Sequence, residues 1–118
     1  MISKKKIIIP IYKYKLTIVI FDNWDEIKSL LKDYISNDEE EANAITINQY
    51  GASLVAVNAK RGSSIVHESC HIMNNVWRFI GYNPDRDNDE VSAYLLTYIY
   101  EKIVDVFYKH PRKEGATT

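Results

Sequence analysis

The apolar residues of the first third of the chain predict two strands followed by a helix. Residues 7–21 are rich in Ile, Val, Tyr and Phe, and Lys and Thr alternate with them, which is typical of strands. Pro10 cannot donate a hydrogen bond to a sheet, so it is expected to divide this segment in two. Asn23 and Glu26 have the spacing of a capping box, and apolar residues follow at helical spacing. These residues are Ile27, Leu30, Leu31, Tyr34 and Ile35.

The middle of the chain predicts a β-hairpin and a second helix. Residues 44–50 and 52–59 have strand composition and are joined at Gly51. The Ser63–Ser64 pair can cap the helix that follows, and Gly81 suits the left-handed position just past its end. The predicted buried residues of this helix are Ile65, Ile72, Val76, Phe79 and Ile80.

A last helix is predicted from about 88 to 109, and Pro111 ends it. The predicted fold class is therefore α+β, with a small mixed or antiparallel sheet and three helices. A chain of 118 residues suits a single domain, here residues 1–110, followed by a disordered tail at 111–118. The acidic segment 37–43 is expected to be an exposed loop.

The second predicted helix contains an HExxH motif, since residues 67–71 are His-Glu-Ser-Cys-His. His67 and His71 are one turn apart on the same face, so both imidazoles can bind one metal ion. Glu68 falls within the same arc of about 100° and is presented beside the two ligands without being one of them. Two imidazoles and an adjacent general base are what zinc-assisted hydrolysis requires. The alternative is that a solvated helix face carries two of the chain's 3 histidines.

Catalytic zinc usually takes three protein ligands, so a third must be found. The metzincin continuation HExxHxxGxxH is absent. Cys70 lies about 100° around the helix from His71 and is expected to be packed in the core, as lone cysteines usually are. His110 is expected to be a surface histidine at a helix end, where the helix dipole favours it. Glu90 is the remaining candidate.

Glu90 follows the motif at a spacing that suits a metal ligand. In an antiparallel helix pair, the first turn of the last helix would bring its carboxylate back to the two imidazoles. The alternative is structural, because Asp87 and Glu90 also form a D-x-x-E capping pattern. The acidic residues 85–89 imitate the start of a calcium loop, but Glu90 stands where that loop needs glycine, which excludes a calcium site.

An HExxH motif followed by Glu90 after eighteen residues resembles the gluzincin metallopeptidases. The string Asp89-Glu90-Val91-Ser92-Ala93-Tyr94 is similar to their glutamate-helix motif, ExxA followed by Asp or Asn, and the resemblance covers about residues 62–100. It implies a zincin-like fold with an active-site helix and a C-terminal glutamate helix. It also implies Zn²⁺ held by the two motif histidines and Glu90. The family's Asp or Asn accepts a hydrogen bond from a ligand histidine, and Tyr94 stands at that position in this chain. A tyrosine hydroxyl accepts more weakly than a carboxylate, and a weakened partner of this kind can cost about 10–100-fold in metal affinity or activity.

The resemblance implies peptide-bond hydrolysis, in which Glu68 takes a proton from the attacking water and passes it to the leaving amine. Related enzymes bind extended peptides along an edge strand, and Ser53–Asn58 is expected to be that edge. They also use Tyr or His to stabilise the oxyanion, and the sequence does not choose among the candidates near the motif. These candidates are Tyr82, Arg86, Tyr94 and Tyr98.

The composition of the chain limits which classes of partner and which cellular locations are expected. A net charge of −1 predicts no bulk attraction to nucleic acid or membranes. The single cysteine allows no intramolecular disulfide. Lys4–Lys6 and the apolar residues after them faintly resemble a signal peptide, but Lys13 and Lys15 interrupt the run and no cleavage site follows. A cytoplasmic location is therefore expected.

The expected partner is a peptide or protein substrate. A domain of this size has little room for a substrate-selecting subdomain, so a second protein is a candidate source of specificity. The alternative function is a catalytically weak or inactive zincin-like protein that acts as a metal-stabilised binding or virion component. Tyr94 and the lack of a specificity domain favour this alternative.

Overall fold

The computed structural model describes residues 1–36 and 40–112, which form an α+β fold with a four-stranded mixed sheet and three α-helices. The elements are β1 (Ile2–Ile9), β2 (Tyr14–Phe21), α1 (Trp24–Leu30), β3 (Ala44–Gln49), β4 (Ala52–Asn58), a 3-10 turn (Gly62–Ser64), α2 (Ile65–Ile80) and α3 (Glu90–Lys109). The strand order is β1-β2-β4-β3. Only β2 and β4 are parallel, while β1 and β3 pair antiparallel with their neighbours.

The sheet separates two hydrophobic clusters, and β2 contributes to both. Leu16 and Ile18 belong to the cluster formed with α2 and α3. Val19 and Phe21 belong to the cluster beneath α1, where Ile27 packs against them. Because β2 is buried on both faces, its sequence is a nearly continuous apolar run.

The predicted division of the N-terminal segment at Pro10 is confirmed, although β1 begins at Ile2 rather than at residue 7. The turn between β1 and β2 is tight, since the Tyr12 N–H donates to the Pro10 carbonyl at 2.7 Å. Its central residue, Ile11, has a φ of 70°. That region of backbone space is unfavourable for a β-branched residue, and Ile11 is 90% exposed, so packing does not compensate for the strain.

The predicted capping box of the first helix is present. The backbone N–H of Asn23 donates to the Glu26 carboxylate at 3.2 Å. The helix is shorter than its apolar spacing predicts, because it ends at Leu30 and residues 31–34 form turns.

The predicted limits of the two later helices agree closely with the structure. Gly81 follows α2 in the left-handed conformation, with a φ of 76°, as predicted. Ser64 occupies the predicted N-cap position of α2, but its side chain makes no capping hydrogen bond. Ile80 was expected to be buried but is exposed, because the apolar face of α2 ends at Trp77 and Phe79.

His110 is buried rather than superficial, which corrects the sequence expectation. Only 3% of it is exposed, and its ring joins two distant segments of the chain. Nδ1 lies 2.7 Å from the Ser3 hydroxyl, and Nε2 lies 3.0 Å from an Asp22 carboxylate oxygen. We call Ser3, Asp22 and His110 the C-terminal anchor. Arg112 continues it by donating to the Ala59 carbonyl at 3.1 Å.

Two predicted segments extend beyond the described residues. Residues 37–39 of the predicted acidic loop lie outside them, and so do residues 113–118 of the predicted disordered tail. None of the helices in the described ranges is both long and apolar enough to cross a membrane.

Candidate functional site

The motif helix α2 places both histidines of the motif on its outer surface. Ile65, Ile72 and Val76 face the core and fix the orientation of the helix on the sheet. His67 and His71 lie one turn apart on the opposite side, and both are exposed. The amphipathic pattern of α2 therefore directs the two imidazoles outward together.

The two imidazoles converge on one point. His67 Nε2 and His71 Nε2 are 3.0 Å apart, and the ring planes are inclined by 80°. Two nitrogens bound to one tetrahedral Zn²⁺ at ordinary distances are about 3.3 Å apart. The spacing of the two nitrogens thus fits two ligands of one small divalent cation to within a few tenths of an ångström.

Glu68 is the buried member of the motif. Only 6% of the residue is exposed, whereas 70% of the His67 side chain is exposed. One carboxylate oxygen accepts a hydrogen bond from the Thr46 hydroxyl at 2.7 Å. The other lies 3.9 Å from His67 Nε2. The carboxylate is therefore held by β3 on one side and faces the histidine pair on the other.

The motif opens into a cleft of about 370 Å³ between α2 and β3. β3 is an edge strand, because within the described residues only β4 pairs with it. The open edge of the sheet therefore runs along the cleft. The lining residues are Ala44, Ile45, Thr46 and Asn48 from β3, and His67, Glu68, His71 and Asn75 from α2.

The predicted edge strand was wrong. Ser53–Asn58 belongs to β4, which pairs with β2 on one side and β3 on the other. The parallel pairing of β2 with β4 places the later strand of the hairpin inside the sheet and leaves β3 outside. Both strands have similar composition, so their sequences do not indicate which one is central.

Glu90 forms no metal-binding group with the histidine pair among the described residues. Glu90 is the exposed first residue of α3. α2 continues for nine residues beyond His71, which is a rise of about 13–14 Å, before the chain turns back. Trp77 Nε1 contacts the Ser92 hydroxyl at 3.2 Å, so α3 begins beside the far end of α2. Within residues 1–36 and 40–112, no group of three His, Cys, Asp or Glu side chains could hold a metal ion.

The capping alternative for Glu90 is not formed either. The residue preceding α3 is Asp89, and its side chain makes no capping hydrogen bond. Asp87 instead takes part in a local turn, in which its N–H donates to the Asp85 carboxylate at 2.9 Å. Cys70 is half-buried and belongs to no potential metal group of the described residues.

None of the four predicted oxyanion candidates lines the cleft. Tyr82 packs against Trp77, with ring centroids 4.7 Å apart. Tyr98 lies beneath the Lys102 ammonium at 5.2 Å. The other two, Arg86 and Tyr94, are exposed and do not line the cleft.

Three polar residues of the cleft were missed from the sequence. Thr46 and Asn48 occupy alternate positions of β3 and therefore face the same side. Asn75 lies one turn beyond His71 and extends the polar stripe of α2. Polar residues at alternate positions of an apolar strand were the available signal, but the strand's pairing was needed to show which face they occupy.

Five polar side chains form a chain of hydrogen bonds that begins and ends beside the cleft, and we call it the polar relay. Arg78 Nη1 contacts Asn75 Oδ1 at 2.9 Å, and Asn75 Nδ2 contacts the Ser53 hydroxyl at 3.2 Å. The Ser53 and Tyr14 hydroxyls are 2.6 Å apart, and the Tyr14 hydroxyl donates to Asn48 Oδ1 at 3.2 Å. Burial raises the pKa of Tyr14, more than the hydrogen bond with Ser53 lowers it, so the phenol keeps its proton.

No protein-family model matches the chain, and no curated protein and no solved structure is significantly similar to it.

Proposed function

We propose that the protein is a metal-dependent hydrolase of peptide bonds with a zincin-like site, in which His67 and His71 hold a divalent cation and Glu68 is the general base. The 3.0 Å approach of the two Nε2 atoms beside a buried carboxylate is the observation that supports this most directly. A Zn²⁺ ion at this point would supply Lewis acidity towards water and a carbonyl oxygen.

Glu68 has the contacts that a general base needs. The Thr46 hydroxyl occupies one carboxylate oxygen and restrains the side chain, and the second oxygen is left to accept a proton from water at the histidine pair. Glu68 can then donate that proton to the leaving amine in the same cleft. Burial of the carboxylate limits its rotation, so the accepting oxygen stays directed at the histidines.

The open edge of β3 supports a peptide as the substrate. Its backbone N–H and C=O groups can pair with an extended chain in the manner of an added strand. The side chains of Thr46 and Asn48 face the cleft from the same strand. A peptide bound along β3 would therefore pass over the carboxylate of Glu68.

The ligand set supports a second candidate function. The described residues supply two protein ligands, whereas catalytic zinc usually has three. A site with two histidines is expected to bind its cation weakly. Under this second candidate, the protein binds a cation and a peptide without hydrolysing it, and Glu68 serves only to hold α2 against β3 through Thr46.

The decisive experiment measures zinc content and casein cleavage on the same preparations. Purified protein is stripped with a chelator and reloaded with Zn²⁺, its metal content is determined by mass spectrometry, and hydrolysis of labelled casein is followed. We expect His67→Ala and His71→Ala to lose both the ion and cleavage. Glu68→Gln should keep the ion and lose at least about 100-fold in rate, as for removal of a general base. Glu101→Gln, an exposed site on α3, is the matched control.

The same experiment separates the alternatives. Zinc binding without cleavage by the wild-type protein would favour the second candidate function. Full activity of Glu68→Gln would exclude Glu68 as the general base. Glu90→Gln tests the ligand set directly. The structure predicts that Glu90→Gln binds zinc like the wild type, whereas loss of the ion would make Glu90 a ligand.

A further inference from the structure

The direction of the polar relay is set by its first member. A guanidinium has only donors, so Arg78 donates to Asn75 Oδ1 and the Asn75 amide turns its Nδ2 towards Ser53. The Ser53 hydroxyl accepts that hydrogen bond and donates its own to the Tyr14 hydroxyl. The Tyr14 hydroxyl in turn donates to Asn48 Oδ1. Each hydrogen bond of the relay therefore has a single possible donor and a single possible acceptor.

This direction fixes the amide of Asn48. Its oxygen is occupied by the Tyr14 hydroxyl, so both N–H groups of the amide are left over. Neither has an acceptor within the described part of the chain, and Asn48 lines the cleft. The relay begins at a cation, and successive hydrogen bonds of one direction polarise each other. Asn48 therefore presents oriented donors to whatever occupies the cleft.

We propose that Asn48 is a catalytic residue that donates a hydrogen bond to the substrate carbonyl oxygen as negative charge develops on it. This inference rests on the proposed hydrolase function. Asn48 lies two residues from Thr46 on the same face of β3, so its side chain is about 7 Å along the strand from the hydroxyl that holds Glu68. A donor that is oriented beforehand stabilises the developing charge without reorganising during the reaction.

Tyr14 is the positioning residue of this arrangement. It is fully buried and touches neither the cleft nor a substrate there, but it holds the oxygen end of the Asn48 amide. Without its hydroxyl, the amide is free to rotate and to present its oxygen to the cleft instead. An acceptor in that place would repel the developing charge.

The test compares zinc-loaded wild-type protein with four variants in casein cleavage. Asn48→Ala should lower kcat by about 100-fold, the usual loss for one oxyanion donor, with KM and zinc content unchanged. Tyr14→Phe should lower kcat by at least about twofold, because an amide that samples both orientations directs its N–H groups into the cleft only part of the time. The double variant should be no slower than Asn48→Ala, since Tyr14 acts through Asn48. Gln49→Ala is the matched control, because the neighbouring side chain lies on the opposite face of β3.

The outcomes distinguish this inference from the proposed function. If Glu68→Gln abolishes cleavage while Asn48→Ala remains within threefold of the wild type, the role of Asn48 is overturned. If the wild type cleaves no casein, the affinity of the zinc-loaded protein for acetohydroxamate, measured by calorimetry, decides. At least tenfold weaker binding by Asn48→Ala, but not by Gln49→Ala, supports carbonyl recognition without hydrolysis. Equal affinities of the wild type and Asn48→Ala for acetohydroxamate, or no binding by the wild type, overturn the proposed role of Asn48.

Discussion

Glu68 depends on one neighbouring hydroxyl for its orientation. Thr46 is the residue that donates to its buried carboxylate, at 2.7 Å, and Thr46 belongs to a different element. A buried polar group that loses its partner carries the full cost of its desolvation, and hydrogen bonds to charged groups contribute about 1.5–3 kcal/mol. The geometry of the proposed base is therefore controlled from β3.

We predict that Thr46→Val lowers the rate of casein cleavage by about tenfold, because the carboxylate loses a charge-assisted hydrogen bond of that size. Valine keeps the branched shape of the side chain and the strand propensity, so β3 should persist. Zinc content should not change, since the Thr46 hydroxyl is hydrogen-bonded to Glu68 and not to either imidazole. Thr17→Val, on the other face of the sheet, is the control. Unchanged activity in Thr46→Val would mean that Glu68 does not need this restraint.

The residues of the site could be predicted from the sequence only where they lie close together on one helix. His67, Glu68 and His71 are neighbours on one helix, and helical spacing alone placed them together. The spacing of Glu90 from the motif does not specify its place in the fold, because that place depends on how far α2 extends beyond the motif. Asn48 and Thr46 reach the site through the pairing of strands, which no local pattern specifies.

The elements themselves followed from the sequence more closely than the site did. Pro10 divides β1 from β2, and Gly81 ends α2, each for a backbone reason that local sequence contains. The order of strands in the sheet was not predictable in the same way. It depends on the parallel pairing of β2 with β4 across thirty residues of intervening chain.

The turn between β1 and β2 carries a strain that substitution should relieve. We predict that Ile11→Asn raises the free energy of unfolding by about 1 kcal/mol, because asparagine adopts a positive φ more readily than a β-branched residue. Ile11 is almost fully exposed, so little buried surface is lost. Urea unfolding followed by circular dichroism measures the change. Ile8→Asn, an exposed strand position, should be destabilising instead, and a loss of stability in both variants would contradict the assigned strain.

At the scale of the whole molecule, the C-terminal anchor joins the end of α3 to β1 and to the end of β2. Partial burial opposes ionisation of Asp22, but its hydrogen bond with His110, the charge of His110 and the N-terminal ammonium together outweigh this effect. The pKa of Asp22 is therefore lowered from its ordinary value. A carboxyl group with a depressed folded-state pKa stabilises the fold above its unfolded pKa, and this contribution is lost as the pH falls through the folded value.

We predict that Asp22→Asn destabilises the protein at pH 7 by no more than about 1 kcal/mol, because Asp22 is 41% exposed and solvent screens the pair. The difference between the variant and the wild type should shrink as the pH falls below about 4, the ordinary pKa of the carboxyl in the unfolded chain, and should be lost once the pH passes the lowered pKa of Asp22 in the fold. Urea unfolding at several pH values measures both effects. Asp33→Asn, at an exposed turn, is the control. A difference that persists undiminished at pH 2 would exclude ionisation of Asp22 as its cause.

The anchor also has a consequence for biosynthesis. Ser3 and His110 are 107 positions apart, and α3 supplies part of the apolar layer that covers β2. Because a nascent polypeptide emerges from its N-terminal end, the first strands leave the ribosome long before the helix that shields them has been translated. The contacts of α3 with β2 and with the anchor therefore form late in synthesis, and a chain interrupted before α3 would leave part of one sheet face covered by α2 alone.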